Sequence, residues 1–320
     1  MSKIGLGTAA IGRPLYINIK EGNQSEPFDL VAFRKSGEEL LDFAYAKGVR
    51  ILDTAPGYGL AENLVLQWLK KRNIRDVDVS SKWGYTYVAD FSATAVVHET
   101  KEHSLAKLDE QWQATKELLP SLNLYQIHSA TLDTKVLENV EVLKRLFEFK
   151  KTHNIDIGLT TTGANQLEVM RLATDVEVEN EVLFDSFQVT YNVLDQSMAE
   201  LVGTSSDSYR DDRKIVVKEA LANGRVFPNA RKYSHYAAHN DLLKELSKKY
   251  NVGVDAISLR FCMDSIHSDI VLSGASTMQQ LSENLQAYDF QLTADEIERI
   301  KDLKVTPDSY WRERKELQWN

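Results

Sequence analysis

Short apolar runs alternate with longer amphipathic segments along the whole chain. The runs are KIGLGT near residue 5, VRILDTA near 51, VDVSSKW near 79 and LYQIHSA near 127. DIGLTTTG near 158, SFQVTYN near 188, KIVVKEA near 216 and DIVLSGAS near 271 complete the series. Between them lie SGEELLDFAYAKG, AENLVLQWLKKR, NVEVLKRLFEFKKTH, NQLEVMRLA, LLKELSKKY and MQQLSENLQAY. In VLKRLFEFKK the apolar residues recur at i, i+3 and i+4, the period of one buried helix face. Strands separated by helices pair in parallel through right-handed crossovers. The series therefore predicts an α/β fold, a closed (β/α)8 (TIM) barrel in a single domain over residues 1–320, ahead of an open doubly wound sheet. Both architectures collect ligands at the C-terminal ends of their strands. An open dinucleotide-binding sheet would carry GxGxxG after its first strand, whereas GLGTAAIG places Gly5, Gly7 and Gly12 at the wrong spacing. Segments 13–33 and 84–100 are long for barrel connections, as expected of loops that shape a substrate pocket, and 203–214 reads as an exposed polar loop.

Composition narrows the classes. Hydrophobic residues at 43% and charged residues at 27% give a globular protein with an ample core. A net charge of −9, from 38 basic and 47 acidic residues, argues against sequence-independent nucleic-acid binding, while leaving room for one small basic pocket. The single cysteine, Cys262 in AISLRFCM, forms no intrachain disulfide and reads as a packing residue in a reducing compartment. MSKIGLGTAAIG lacks a signal-peptide pattern, and no run of 18 apolar residues exists, so a cytoplasmic protein without membrane contact is the expectation. The i, i+4 histidines of HYAAH, His235 and His239, lack the glutamate of HExxH and a third ligand, and read as solvated helix residues rather than a metal site.

The strand-like runs end in polar residues. Asp53 ends the second, Lys82 the third, His128 the fourth, and Thr160 and Thr161 the fifth. Gln188 and Lys218 stand near the ends of the sixth and seventh. Each alone has a plain explanation: an Asx turn at Asp53, a solvated strand end at Lys82, a hydrogen-bonded structural histidine at His128. A barrel, however, brings all of these strand ends to one mouth. The aromatics Tyr16, Trp83, Tyr85 and Tyr87 fall where they would either line a substrate pocket or cover the rim.

Taken together, ILDTAPGYGLAE (Asp53, Tyr58, Glu62), SSKWG (Lys82) and LYQIHSA (His128) resemble the aldo-keto reductases. IGLTTTG, FQVTYN and GASTMQQLSENL continue the resemblance in the family's order from about residue 4 to about residue 290. It implies a (β/α)8 barrel that binds NADP(H) without a Rossmann turn and exchanges a hydride with a small carbonyl or alcohol. Carbonyl reduction builds negative charge on oxygen, so an acid must deliver a proton, and a phenol of pKa about 10 is a reluctant one. A neighbouring ammonium stabilises the phenolate, a carboxylate holds that ammonium, and an imidazole N–H orients the carbonyl. The resemblance thus assigns Tyr58 as general acid/base, Lys82 as its tuner, Asp53 as the partner of Lys82, and His128 as the carbonyl orienter. It implies cofactor contacts at Asp53, Thr160, Thr161, Gln188, Lys218, Ser276, Gln280 and Asn284, with Glu283 beside them.

Two positions depart from the family pattern. Gln280 stands where many NADPH-specific members carry an arginine, so NADP(H) is favoured by family habit only and NAD(H) stays open. Lys218 replaces the aromatic that stacks on the nicotinamide, an exchange that bears on cofactor redox preference or on substrate charge. That exchange also keeps alive a nucleotide-binding regulatory or scaffold subunit on the same barrel. A barrel lyase or isomerase with Lys82 as a Schiff-base amine is a third reading.

Overall fold

A computed structural model describes residues 2–15, 28–92, 94–202, 213–227 and 234–317. Eight parallel strands close into a barrel: β1 (Lys3–Gly7), β2 (Ile51–Asp53), β3 (Asp78–Trp83), β4 (Leu122–Ala130), β5 (Asp156–Thr161), β6 (Ser186–Thr190), β7 (Lys214–Lys218) and β8 (Ile270–Ser273). β1 closes the ring against β8, with Lys3 opposite Ile270 and Leu6 opposite Ser273. Every predicted run supplies one barrel strand.

Helices form the outer layer. These are α1 (Leu30–Ala46), α2 (Ala61–Arg72), α3 (Leu105–Thr115), α4 (Val140–His153), α5 (Gln166–Thr174), α6 (Ala237–Tyr250), α7 (Val254–Ser265), α8 (Met278–Leu285), α9 (Ala294–Lys301) and α10 (Pro307–Glu316). Capping agrees with sequence chemistry. Asp29 accepts from the Val31 and Ala32 N–H groups, and Asn139 from that of Val142. Thr293 and Glu296 form a full capping box at α9. The AISLRFCM run belongs to α7, which is buried on nearly all sides and so shows no amphipathic period. Cys262 lies fully buried there, its Sγ directed at the Tyr191 carbonyl, and burial pushes its thiol far up.

Strand periodicity explains where the site lies. Inward-facing residues alternate along a strand. In register, Asp53 stands beside Ser80 and Gly7, Gln126 beside Lys82, Gln188 beside Thr160, and Lys218 beside Thr190. The alternate positions Leu6, Leu52, Val79, Ile127, Leu159, Val189 and Val217 face the surrounding helices and are almost wholly buried. The polar side chains collect at the C-terminal mouth. Of the long connections, 84–100 folds back as a hairpin pairing Tyr85–Tyr87 with Glu99–Lys101. Tyr16, most of segment 13–33 and most of 203–214 lie outside the described residues.

Candidate active site

Asp53 is the hub of the mouth. Its Oδ2 lies 2.5 Å from Lys82 Nζ, and its Oδ1 accepts from Ser80 Oγ at 2.5 Å and Gln188 Nε2 at 2.8 Å. Lys82 Nζ also donates to the Thr54 carbonyl at 3.0 Å. The pair is sealed from solvent, with side-chain exposures of 0% for Lys82 and 5% for Asp53. Burial draws the ammonium below the ordinary lysine range, against the opposing pull of Asp53 and Glu62. Such a pair survives in low dielectric because further hydrogen bonds satisfy both partners.

Tyr58 is carried to this pair by a single 3₁₀ turn, Pro56–Tyr58, immediately after β2. Proline presets the first residue of the turn, and the Tyr58 N–H closes it on the Ala55 carbonyl at 3.0 Å. The turn is pressed onto the Ala9–Gly12 segment, with the Leu60 N–H bonded to the Gly12 carbonyl at 2.9 Å. A Cβ on Gly12 would lie 2.0 Å from the Tyr58 carbonyl oxygen, and Gly59 adopts φ 67°, so both glycines are required by this approach. Lys82 Nζ stands 4.8 Å from the Tyr58 ring centroid, and the Arg13 guanidinium 5.5 Å from it.

His128 stands edge-on to Tyr58, ring centroids 5.4 Å apart, with Tyr85 on its other side at 4.7 Å. Burial, reinforced by Lys82, Arg13, Lys218 and His103, holds the imidazole well below its usual pKa, so it is neutral. Nδ1 is buried without a partner. An orphaned N–H is the rarer defect, so the ring proton belongs on Nε2, where the cavity can receive it. The His128 carbonyl accepts from His103 Nε2 at 2.9 Å, which fixes the strand end. Burial pushes the Tyr85 phenol up to about 12.

These side chains open into a cavity of about 1390 Å³ that runs from Tyr58 and His128 to Ser276, Gln280 and Asn284. Thr160 lines it and accepts from the Ser129 N–H at 2.6 Å. Thr161 does not line it; fully buried, its hydroxyl donates to Gln166 Oε1 at 3.1 Å. Thr162 lines the cavity in its place. At the far end, Thr277 caps α8 by accepting from the Gln280 N–H. The Gln280 side-chain oxygen takes both the Ser276 N–H (2.9 Å) and hydroxyl (3.1 Å). Asn284 is buried, oriented so that its amide oxygen accepts from Ser273 Oγ at 2.8 Å and its nitrogen lies 2.7 Å from Asp255 Oδ2. Gly274 leaves open space where a Cβ would stand.

Two wall residues escaped sequence reading. Arg13 donates to the Gly57 carbonyl at 2.9 Å and to Glu99 Oε2 at 2.7 Å, bracing the tyrosine turn. A charged residue just past β1 was the available signal. Arg314 of α10 binds Glu219 Oε1 through Nε at 3.1 Å and Nη2 at 2.9 Å, bringing the last helix to the mouth. Glu219 falls to about 2 because Arg314 and Lys218 outweigh its burial. Of the aromatics noted in the sequence, Tyr85 lines the cavity, Trp83 is a core residue, and the Tyr87 hydroxyl accepts from the Phe91 N–H at 3.0 Å. His235 faces Glu313 Oε1 at 3.0 Å and His239 the Leu303 carbonyl. Among the described residues, no group of three or more His, Cys, Asp or Glu is arranged to hold a metal, and no helix is long and apolar enough to cross a membrane.

A closed parallel barrel with a buried Lys–Asp pair, a phenol and a neutral imidazole at its C-terminal mouth is the framework of a (β/α)8 enzyme. The aldo/keto reductase family model matches residues 3–305, and the chain belongs to that family of oxidoreductases. It is 25% identical over 310 residues to aldo-keto reductase YhdN of Bacillus subtilis, covering 88% of this chain and 83% of that protein. It is 24% identical over 319 residues to an NADH-specific methylglyoxal reductase of Escherichia coli, covering 92% and 91%. Among solved structures, the holo form of aldo-keto reductase AKR11C1 from Bacillus halodurans superimposes with a TM-score of 0.68 at 21% identity, covering 95% of this chain and 92% of that one.

Proposed function

We propose that the protein reduces a small aldehyde, ketone or sugar carbonyl to the alcohol, or runs the reverse reaction, with a nicotinamide dinucleotide. The observation that carries this reading is the Asp53–Lys82 pair set beneath the Tyr58 ring and next to a neutral His128. Tyr58 Oη gives its proton to the carbonyl oxygen during reduction. Lys82 and Arg13 stabilise the phenolate left behind, and Asp53 keeps Lys82 in place. His128, protonated on Nε2, donates to the same oxygen and shares its charge. The bound cofactor supplies the hydride.

The cavity fits such a group. Its volume of about 1390 Å³ exceeds the usual range for one small ligand and leaves room for a dinucleotide beside a substrate. Asp53, Gln188, Thr160, Lys218, Ser276, Gln280 and Asn284 are the residues that would hold it, with Thr162 beside them. Thr161 drops from that set because its hydroxyl is taken by Gln166. The uncharged Gln280, with Glu283 and Asp255 on the same wall, puts NAD(H) on at least equal terms with NADP(H). The cytoplasm is the compartment this reading implies.

The test is oxidation of NADH and NADPH by the purified protein across a panel of aldehydes, ketones and sugars. Turnover with either cofactor supports the proposal. Saturable binding of the nucleotides without turnover of any carbonyl or alcohol would favour a regulatory subunit. The Schiff-base reading loses ground because Lys82 Nζ is tied to Asp53 and the Thr54 carbonyl.

A further inference from the structure

Two lysines reach the mouth of the barrel, and they are treated oppositely. Lys82 has a carboxylate at 2.5 Å and a carbonyl at 3.0 Å. Lys218 lines the cavity, and its ammonium donates to Thr190 Oγ1 at 2.8 Å and lies 5.9 Å from the Trp311 ring centroid. Among the described residues no carboxylate comes within 4 Å of it. Its sequence neighbour Glu219 is the obvious counter-ion, yet it is turned away at φ 56°. The Glu219 carboxylate is held instead by Arg314 at 2.9 Å and by the Tyr310 hydroxyl at 3.1 Å.

The surroundings of Lys218 add to the imbalance. Lys82 and Arg314 repel it, while Glu219 and Asp195 attract it from beyond contact distance. An ammonium carries three donors, and one is used. A sheltered cation without a contact counter-ion is costly to keep, so such groups are normally paired or coordinate a ligand. Here the open side is the cavity. Lys218 and His128 line the same cavity, so an occupant of one end is shared with the other.

We propose that Lys218 is the anion-binding residue of this cavity, taking an oxyanion directly on its ammonium. Two sources present that chemistry: the carboxylate of an oxo-acid substrate, and a phosphate of the dinucleotide. The inference deepens the proposed function, since it concerns the same cavity, but it is testable without turnover.

Dissociation constants are measured by tryptophan fluorescence, for which Trp311 is a built-in reporter, and by calorimetry. The probes are inorganic phosphate, NADH, NADPH, and oxamate with and without NADH; oxamate is a carboxylate with no reducible ketone. Lys218→Met removes the charge and Lys218→Arg keeps it. The expected result is a loss of about tenfold or more in Lys218→Met for at least one probe, the range of a charge-assisted hydrogen bond, with recovery in Lys218→Arg. A loss confined to the nucleotides assigns the site to a cofactor phosphate, and one confined to oxamate assigns it to a substrate carboxylate. Thr190→Val, which removes the oxygen holding the ammonium, weakens the same probe by a smaller factor and serves if Lys218→Met fails to fold.

Wild-type affinity of Lys218→Met for all probes, or no binding of any probe to the wild type, overturns the inference. Equal losses in the Met and Arg variants do so too, because they show that shape rather than charge matters. Charge-dependent binding of phosphate or oxamate with no binding of either nucleotide would leave the anion site standing and remove the nicotinamide-dependent reading instead.

Discussion

The two sides of the mouth differ in how completely they satisfy themselves. On the β2–β3 side, Asp53, Ser80 and Lys82, joined across the mouth by Gln188 of β6, meet each other's hydrogen-bonding needs before any ligand arrives. On the β7 side, Lys218 rests on one threonine hydroxyl while the adjacent acid serves Arg314. Groups whose geometry must not vary during the reaction gain from a closed network, since positions held before binding cost no reorganisation later. Groups that recognise a ligand must keep part of their bonding capacity open. The comparison teaches that departures from the family pattern fall on the recognition side.

Removing the proton donor is expected to have the largest effect. Tyr58→Phe lowers kcat/KM for carbonyl reduction by about 10²–10⁴-fold, while NADH affinity, read by fluorescence, changes little. Equal losses in both would place Tyr58 on the recognition side. Next, Lys82→Met strands the Asp53 carboxylate and costs on the order of 3–5 kcal/mol in urea unfolding, because the remaining charge is buried and unpaired. The double change Lys82→Met with Asp53→Leu recovers part of that loss, and its failure to do so would break the closed-network account.

Glu219 gives a smaller, pH-dependent effect. Its folded pKa of about 2 lies below the ordinary 4.5, so its stabilisation is present above pH about 4.5 and fades as pH falls toward about 2. That shift corresponds to about 3 kcal/mol. Glu219→Gln is expected to be less stable than the wild type at pH 6 and to converge with it only as the pH falls to about 2. Parallel stability curves would show that the Arg314 contact contributes nothing. The smallest effect is at the far end of the cavity. Gln280→Arg shifts the NADPH-to-NADH affinity ratio toward NADPH by about tenfold, as a new charge-assisted contact would.

Much of this was legible in the sequence because barrel strands advertise themselves by alternation. SSK, QIH and GLT each place a polar residue two positions beyond another small or polar one, so a period of two carries both to the interior. Asp53, Lys82 and His128 could be placed at the mouth because each sits near a strand end, whereas Tyr58 was singled out by the family resemblance. In the pair Thr160–Thr161 only Thr160 lines the cavity, and the sequence does not say which of two adjacent strand residues faces inward. The helix holding Cys262 hid because complete burial erases amphipathic contrast. Arg13 and Arg314 escaped for a different reason, since their partners lie 86 and 95 residues away, and ion pairing at such separation leaves no local pattern.

The family match stops at residue 305, and α10 begins at Pro307. Arg314 therefore brings a segment outside the shared pattern to the wall of a shared chemical chamber. Natural variation there can retune what the chamber admits while the strands carrying the proton-transfer groups stay untouched. Exchanging residues 306–317 among members of the family is, in that sense, a change of lock on an unaltered door.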